Sequence, residues 1–286
     1  MRHETFLRRA FAPYNDSMTR LLKNPVGLLG CILVSLVLAA AMLAPLLAKH
    51  KPTEQPYPRE VTRPSLQHWL GTDAVGRDVA TRLLYGARTT LWIASGATLI
   101  AIVAGAVLGI TAAMAGGLLD ALIRRATDFL LSFPAILLGL FLLTFLPRSS
   151  QSLIIAVGIA GIPTVVRQMR AAFLSERARD YVLAARSVGA NPMRIAFREI
   201  LPNCAALLLV LAALQLGTAV LESAGLAFLG LSGEPDVPEW GLMLQREQSE
   251  IFTAPRLVIA PGIAIALTVL GFNLLSDGLR DVLARR

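Results

Sequence analysis

Charge is scarce in this chain. Asp, Glu, Lys and Arg make up 16% of its 286 residues, against roughly 25% in ordinary soluble domains. Lysine is scarcer still: Lys23, Lys49 and Lys51 are followed by Asn24, His50 and Pro52. A phosphate-binding P-loop needs Gly-Lys followed by Ser or Thr. None is present, so a nucleotide that drives this chain must sit on another one. The three histidines, His3, His50 and His68, fall at scattered loop positions without ligand spacing, and no metal site is expected. The two cysteines, Cys31 and Cys204, lie near cytoplasmic ends of predicted spans, which argues against a disulfide framework. No Ser/His/Asp or Cys/His set is apparent, so no catalytic residue is expected. Internal repeats and low-complexity tracts are lacking. The first apolar run begins too late and runs too long for a cleavable signal.

Long apolar runs are what the chain has instead. Six stretches carry no charge at all: Val26 to Ala48, Thr89 to Leu119, Phe129 to Pro147, Ser149 to Val166, Ile200 to Leu221 and Leu257 to Ser276. Crossing the bilayer core takes roughly 20 apolar residues. Six such runs exclude a soluble protein with buried helices and predict an all-α membrane protein with six transmembrane helices. The net charge of +8 does not point to nucleic acid, because the charge is distributed by side. With six alternating helices and a cytoplasmic start, the inner segments hold 17 of the 27 basic residues. An inner excess of Lys and Arg sets orientation, which places both termini in the cytoplasm.

Helix 2 is expected over about 89–112, followed by an inner turn at Gly116 and Gly117 and an amphipathic stretch with Asp120, Arg124, Arg125 and Asp128. Helix 3 is expected to run to about 146. Along helix 2, Ala97, Ala101, Gly105, Gly109 and Ala113 recur every four residues and form one stripe of small side chains. Such stripes let membrane helices pack closely and say nothing of a substrate. In the first outer loop, Gly71, Thr72, Asp73, Gly76, Arg77 and Asp78 lack the spacing of a calcium loop. Helix initiation is the simpler reading, with Thr72 or Asp73 capping the following helix.

The largest inner segment, Arg177 to Asn203, reads RARDYVLAARSVGANPMRIAFREILPN. It is basic yet helical in period. Gly189 suits the left-handed turn that ends a helix. Asn191 is a good N-cap, and Pro192 fits the first helical position. Ala184 and Ala185 give one face small enough for a partner to approach, and Pro202 marks entry to helix 5. The residues describe a helix–turn–helix on the cytoplasmic side. Docking on a protein and resting on anionic lipid both fit it.

The stretch Ala184, Ala185, Arg186, Ser187, Val188, Gly189, ending at Leu201, Pro202 and Asn203, resembles the EAA loop of ABC-importer permeases. His68 to Arg88, HWLGTDAVGRDVATRLLYGAR, is similar to the outer-loop signature of the dipeptide/oligopeptide/nickel permease family, in its C-type subunit. Glu222 to Ser232, ESAGLAFLGLS, with Pro238 to Gly241, PEWG, is similar to that family's stretch after helix 5. Lys23, Asn24, Pro25 and Pro45 fit as well. The resemblance spans nearly the whole chain. Two departures stand out: Leu183 replaces the Glu that names the EAA motif, and Gly225 sits where the family more often has a larger residue.

The resemblance implies an ABC type I importer transmembrane domain. Residues 1–87 would form the tail, helix 1 and first outer loop; residues 88–286 would form the permease core, with a coupling loop at 177–203. It implies ATPase coupling through Ala184, Ala185, Arg186, Gly189, Asn191, Pro192, Arg194 and Pro202. The implied partners are a second homologous permease in a heterodimer, two ATP-binding cassette subunits holding ATP and Mg, and an extracytoplasmic substrate-binding protein. No cofactor is expected on this chain, and the location is the bacterial inner membrane. Glu222, at the outer end of helix 5, is costly there unless paired or hydrated. It lines the translocation path or caps structure at the interface. Peptides, glutathione, nickel chelates and sugars stay open as cargo. An ATP-independent channel or secondary transporter, or a membrane scaffold, are the alternatives.

Overall fold

A computed structural model describes residues 21–55, 60–233 and 236–284. Helices dominate, and no strand is present among the described residues. Helix α1 spans Pro25–Leu47, α2 Val79–Ala115, α3 Gly117–Leu131, α4 Ala135–Leu143 and α5 Ser150–Arg177. A short helix α6, Asp180–Ser187, leads into the turn Pro192–Arg194 and the π-helical segment Ile195–Ile200. Helix α7 covers Leu201–Leu226, α8 Trp240–Glu247 and α9 Arg256–Ala284.

The helix starts follow from local chemistry. Asn24 accepts from the Val26 amide at 3.0 Å with Pro25 at the first position of α1, and Ser149 accepts from Ser152 to open α5. Each side chain satisfies an amide that has no partner within its helix. Helix α2 begins at Val79, about ten residues before the apolar run. Its cap is Asp78, which accepts from the Thr81 amide at 2.7 Å, in place of Thr72 or Asp73. Hydropathy marks where a helix enters lipid, whereas Asp78 marks where it starts. At 37 residues, α2 is roughly 55 Å long. It overreaches the ~30 Å hydrocarbon layer, and its first turns, which carry Arg82 and Arg88, precede the apolar run.

Among the described residues, five helices are long and apolar enough to cross a membrane singly, and a bent pair together is long and apolar enough for a sixth. That pair is α3 and α4, which meet at 90°, so the stretch expected as helix 3 is two helices with a sharp bend between them. Pro134 is the reason. It lacks an amide and disfavours helical backbone at Phe133, ending α3 at Leu131. Nine residues of α4 reach only about 14 Å, too short to cross alone. Helix α3 is amphipathic, with Leu118, Leu122 and Phe129 exposed along its length.

The small-residue stripe of α2 forms its seam with α5. Ala97, Ala101 and Ala113 are buried, and a Cβ on Gly105 would lie 2.5 Å from the Val165 Cβ. Helices α1 and α9 approach equally closely through glycines on both: Gly30 meets the backbone of Leu274 and Leu275, and Gly278 meets that of Gly27. Without a hydrophobic force between helices in lipid, such van der Waals contact carries the association. Leu36, Met42, Leu46, Leu99 and Val107 are exposed on the outer surface of this bundle. Acyl chains or another apolar subunit cover such a surface in the membrane.

Candidate coupling and translocation sites

The inner segment folds as the spacing predicts. Helix α6 ends at Ser187, and Gly189 adopts φ +78° with open space where its Cβ would be. Backbone conformation, and not crowding, therefore demands glycine there. Asn191 accepts from the Met193 amide at 3.0 Å, and Pro192 takes the first helical position. Pro202 sits at the start of α7 and is exposed.

This segment has its own core. Val182, Ile195, Ala196 and Ile200 are buried against Met169 and Phe173 of α5, Ala113 of α2 and Cys204 of α7. Tyr181 adds a polar tie, donating to Glu176 at 2.8 Å and accepting from Asn203 at 3.3 Å. Burial, with the Glu176 carboxylate second, pushes its hydroxyl up to about 12. It therefore stays a neutral donor throughout the working pH range. Arg177 donates to the Ala113 carbonyl at 2.9 Å. The segment is thus fixed to the adjoining ends of three long helices, α2, α5 and α7.

Its opposite face is open. Leu183, Val188, Met193 and Phe197 are all more than half exposed, with Val188 at 85%. Ala184, Arg186, Gly189, Asn191, Pro192 and Arg194 are exposed beside them, and Ala185 is half-buried. Leu183, in the place of the motif's Glu, enlarges this apolar face.

The two outer signatures come together. Gly71 has φ +76°, and a Cβ there would run into the Thr62 carbonyl oxygen. Thr72 donates to the Glu60 carbonyl at 2.7 Å and accepts from the Thr62 amide at 2.8 Å. Asp73 accepts from the amides of Val75 and Arg77 and from Arg77 Nε at 2.7 Å. Gly76, at φ +83°, closes the turn. Arg82 follows one turn into α2; its Nε lies 3.8 Å from Asp73, and its Nη1 donates to the Pro52 carbonyl at 2.9 Å. From the second signature, the Trp240 indole donates to the Leu83 carbonyl at 2.9 Å and packs on Gly86. These residues are a structural clamp on the outer end of α2, with Arg77 and Asp73 almost fully buried as a pair.

Glu222 lies near the outer end of α7, half-buried, and its carboxylate has no hydrogen-bond or ion-pair partner among the described residues. It does not cap a neighbouring element. Beside it, Leu221, Ala224, Gly225, Phe228, Gly262 and Ile265 line an apolar cavity of about 720 Å³ between α7 and α9 that is wide open at the protein surface. A Cβ at Gly225 would lie 3.0 Å from Ile136 Cδ1 of α4, so the larger residue usual at this position would press on that side chain. Arg82 and Glu239 fall inside the two outer signatures and Glu247 outside them, but a charge in a signature carries no mark of burial, and only the fold shows all three buried.

A bundle of hydrophobic spans with a rigidly mounted, exposed loop at one end defines a membrane-embedded subunit. Residues 105–286 match the family described as binding-protein-dependent transport system inner membrane component, and residues 12–65 match the N-terminal transmembrane domain of oligopeptide transport permease C. The chain belongs to this permease family. It is 40% identical to the dipeptide transport system permease protein DppC of Alkalihalophilus pseudofirmus, over 96% of this chain and 90% of that protein. It is 37% identical to the glutathione transport system permease protein GsiD of Pectobacterium atrosepticum, over 95% and 90%. Among solved structures, an inward-facing MetNI methionine ABC transporter chain superimposes with a TM-score of 0.60 at 21% identity, covering 70% of this chain and 96% of that one. The shared fold is that of an ABC importer transmembrane domain.

Proposed function

We propose that this chain is one of two homologous permease subunits of an ATP-driven importer for peptides or a related small solute such as glutathione or a nickel chelate. Two ATP-binding cassette subunits on the cytoplasmic side hold ATP and Mg, and an extracytoplasmic binding protein delivers the cargo. Both termini face the cytoplasm. The names of the relatives support the cargo class.

The observation that carries the reading is the two-sided loop at 177–203. One side is locked into the inner ends of α2, α5 and α7, and the other presents Leu183, Val188, Met193 and Phe197. Apolar residues left exposed in this way call for a protein surface. The ATPase takes this face, and its closure on nucleotide shifts α5 and α7 as one body. Glu222 lines the translocation path beside the cavity between α7 and α9.

Purification through a tag on this subunit in mild detergent should recover a second permease and ATPase chains with ATP hydrolysis. Recovery of this chain alone under several gentle conditions would overturn the reading. Gly189→Val should sharply reduce substrate-stimulated hydrolysis while membrane insertion stays normal, because valine resists the left-handed backbone. Normal coupled transport by that variant would exclude the loop's role. Unaltered uptake by Glu222→Gln would remove that residue from the path.

A further inference from the structure

Two histidines 18 residues apart meet on the outer face. His50 follows the C-terminal end of α1, His68 sits in the first outer loop and Asp78 caps α2. One ligand atom from each of the three falls within 4.8 Å of the other two. The imidazole rings of His50 and His68 stack with centroids 4.7 Å apart. His68 Nδ1 lies 3.0 Å from Asp78 Oδ1. Two ligand atoms on one tetrahedral zinc, at roughly 2.0–2.1 Å from the metal, stand about 3.3 Å apart.

The supports of these groups are in place. The His68 backbone is fixed by Ser65, whose hydroxyl accepts from the His68 amide at 3.0 Å, and by the Ser65 and Gly71 amides donating to its carbonyl. The other Asp78 oxygen is held by the Thr81 amide, which leaves Oδ1 free to face His68. Glu54 Oε2 lies 3.9 Å from His50 Nδ1 and adds a second carboxylate on the open side. The nearby Lys49 does not compete for the site. Its ammonium sits 4.5 Å over the Trp69 ring and donates to the Leu66 carbonyl.

We infer that His50, His68 and Asp78 form a binding site for a divalent transition cation of the zinc class. Two imidazole nitrogens with one carboxylate suit such a cation and not the oxygen-seeking magnesium or calcium. Water or Glu54 completes the fourth position. The bound ion ties the outer end of α1 to the first turn of α2 through the loop between them, in addition to the protein contacts there. The site stands independently of the import reading.

The full-length chain, purified with a tag free of histidine and stripped with chelator, is titrated with zinc, and retained metal is measured by mass spectrometry. One zinc per chain is expected, with a raised thermal midpoint. His50→Gln and His68→Gln should each weaken zinc binding by about tenfold or more, whereas His3→Gln should bind as the parent does. X-ray absorption of the zinc-loaded parent should show a mixed nitrogen and oxygen shell with imidazole scattering. No zinc retained by the parent, retention unchanged in both variants, or a shell without imidazole would each overturn the site, and the last holds even if a variant fails to fold.

Discussion

Asp120 and Arg170 form a bidentate pair across 50 residues of sequence, with Arg170 Nε 2.5 Å from Oδ1 and Nη2 2.7 Å from Oδ2. Arg124 adds a longer contact to the same carboxylate at 3.4 Å. The pair joins the amphipathic helix α3 to the inner half of α5, which also carries the loop's core residues Met169 and Phe173. Helix α3 therefore cannot swing independently of the coupling segment. Its sharp bend into α4 makes this tie necessary, since a helix leaving the bundle at 90° has few apolar contacts of its own.

Asp120→Asn keeps the shape of the side chain and removes the charge. The pair lies near the aqueous boundary, so the loss should be about 1 kcal/mol, at the upper end for surface pairs because the geometry is bidentate. The thermal midpoint of the detergent-solubilised chain should fall, and the gap from the parent should narrow as salt rises. A double-mutant cycle with Arg170→Gln should show that the two changes are not additive. Additive losses would mean that the pair contributes nothing of its own.

Two helical glycines should respond in opposite ways to alanine. At Gly105 the new methyl would sit 2.5 Å from Val165 Cβ and 2.7 Å from its Cγ1. Neither is the far end of a flexible chain, so α2 and α5 must separate, at a cost of about 1–3 kcal/mol. At Gly262, in α9, nothing lies within 4 Å of the added atom, and Gly262→Ala should fall within about 0.5 kcal/mol of the parent or gain slightly from helix propensity. Thermal unfolding of both variants in one detergent checks the contrast.

The fold was legible wherever a signal was local. Apolar runs marked the spans, the four-residue stripe from Ala97 to Ala113 marked the α2 seam, and Gly189, Asn191 and Pro192 marked the turn of the inner loop. Bent and long-range features were not. The break at Pro134 lies inside an uncharged run, so hydropathy passes over it. The start of α2 precedes its apolar run, because Asp78 caps it at Thr81 while the charge of Arg82 is accommodated by the distant Pro52 and Asp236 carbonyls. The approach of His50 to His68 depends on the path of the outer loop, which no spacing rule encodes. The basic tail expected over residues 1–20 lies outside the described residues.

Glu239 gives the fold a pH dependence whose sign can be worked out. It caps α8, accepting from the Gly241 amide at 3.2 Å, and its other oxygen is buried without a partner. Burial pushes its carboxyl from the ordinary 4.5 up to about 7, against the Ser232 hydroxyl and the Gly241 and Leu242 amides, which pull the other way. An acid raised in the folded state holds its proton where the unfolded chain has released it. The stability that Glu239 contributes is therefore highest below about pH 4.5, falls as pH rises towards 7, and is flat and lowest beyond. The spread is on the order of 3 kcal/mol, since one pKa unit corresponds to about 1.4 kcal/mol. Glu239→Gln keeps an acceptor for the Gly241 amide and cannot ionise. Its thermal midpoint should match the parent near pH 5 and exceed it near pH 8. Some slope should persist in the variant, because burial and the neighbouring Asp73 raise Glu247 in the same direction. Parallel pH profiles for the two proteins would show that Glu239 ionises in the fold as it does in water, which its burial and unpartnered oxygen contradict.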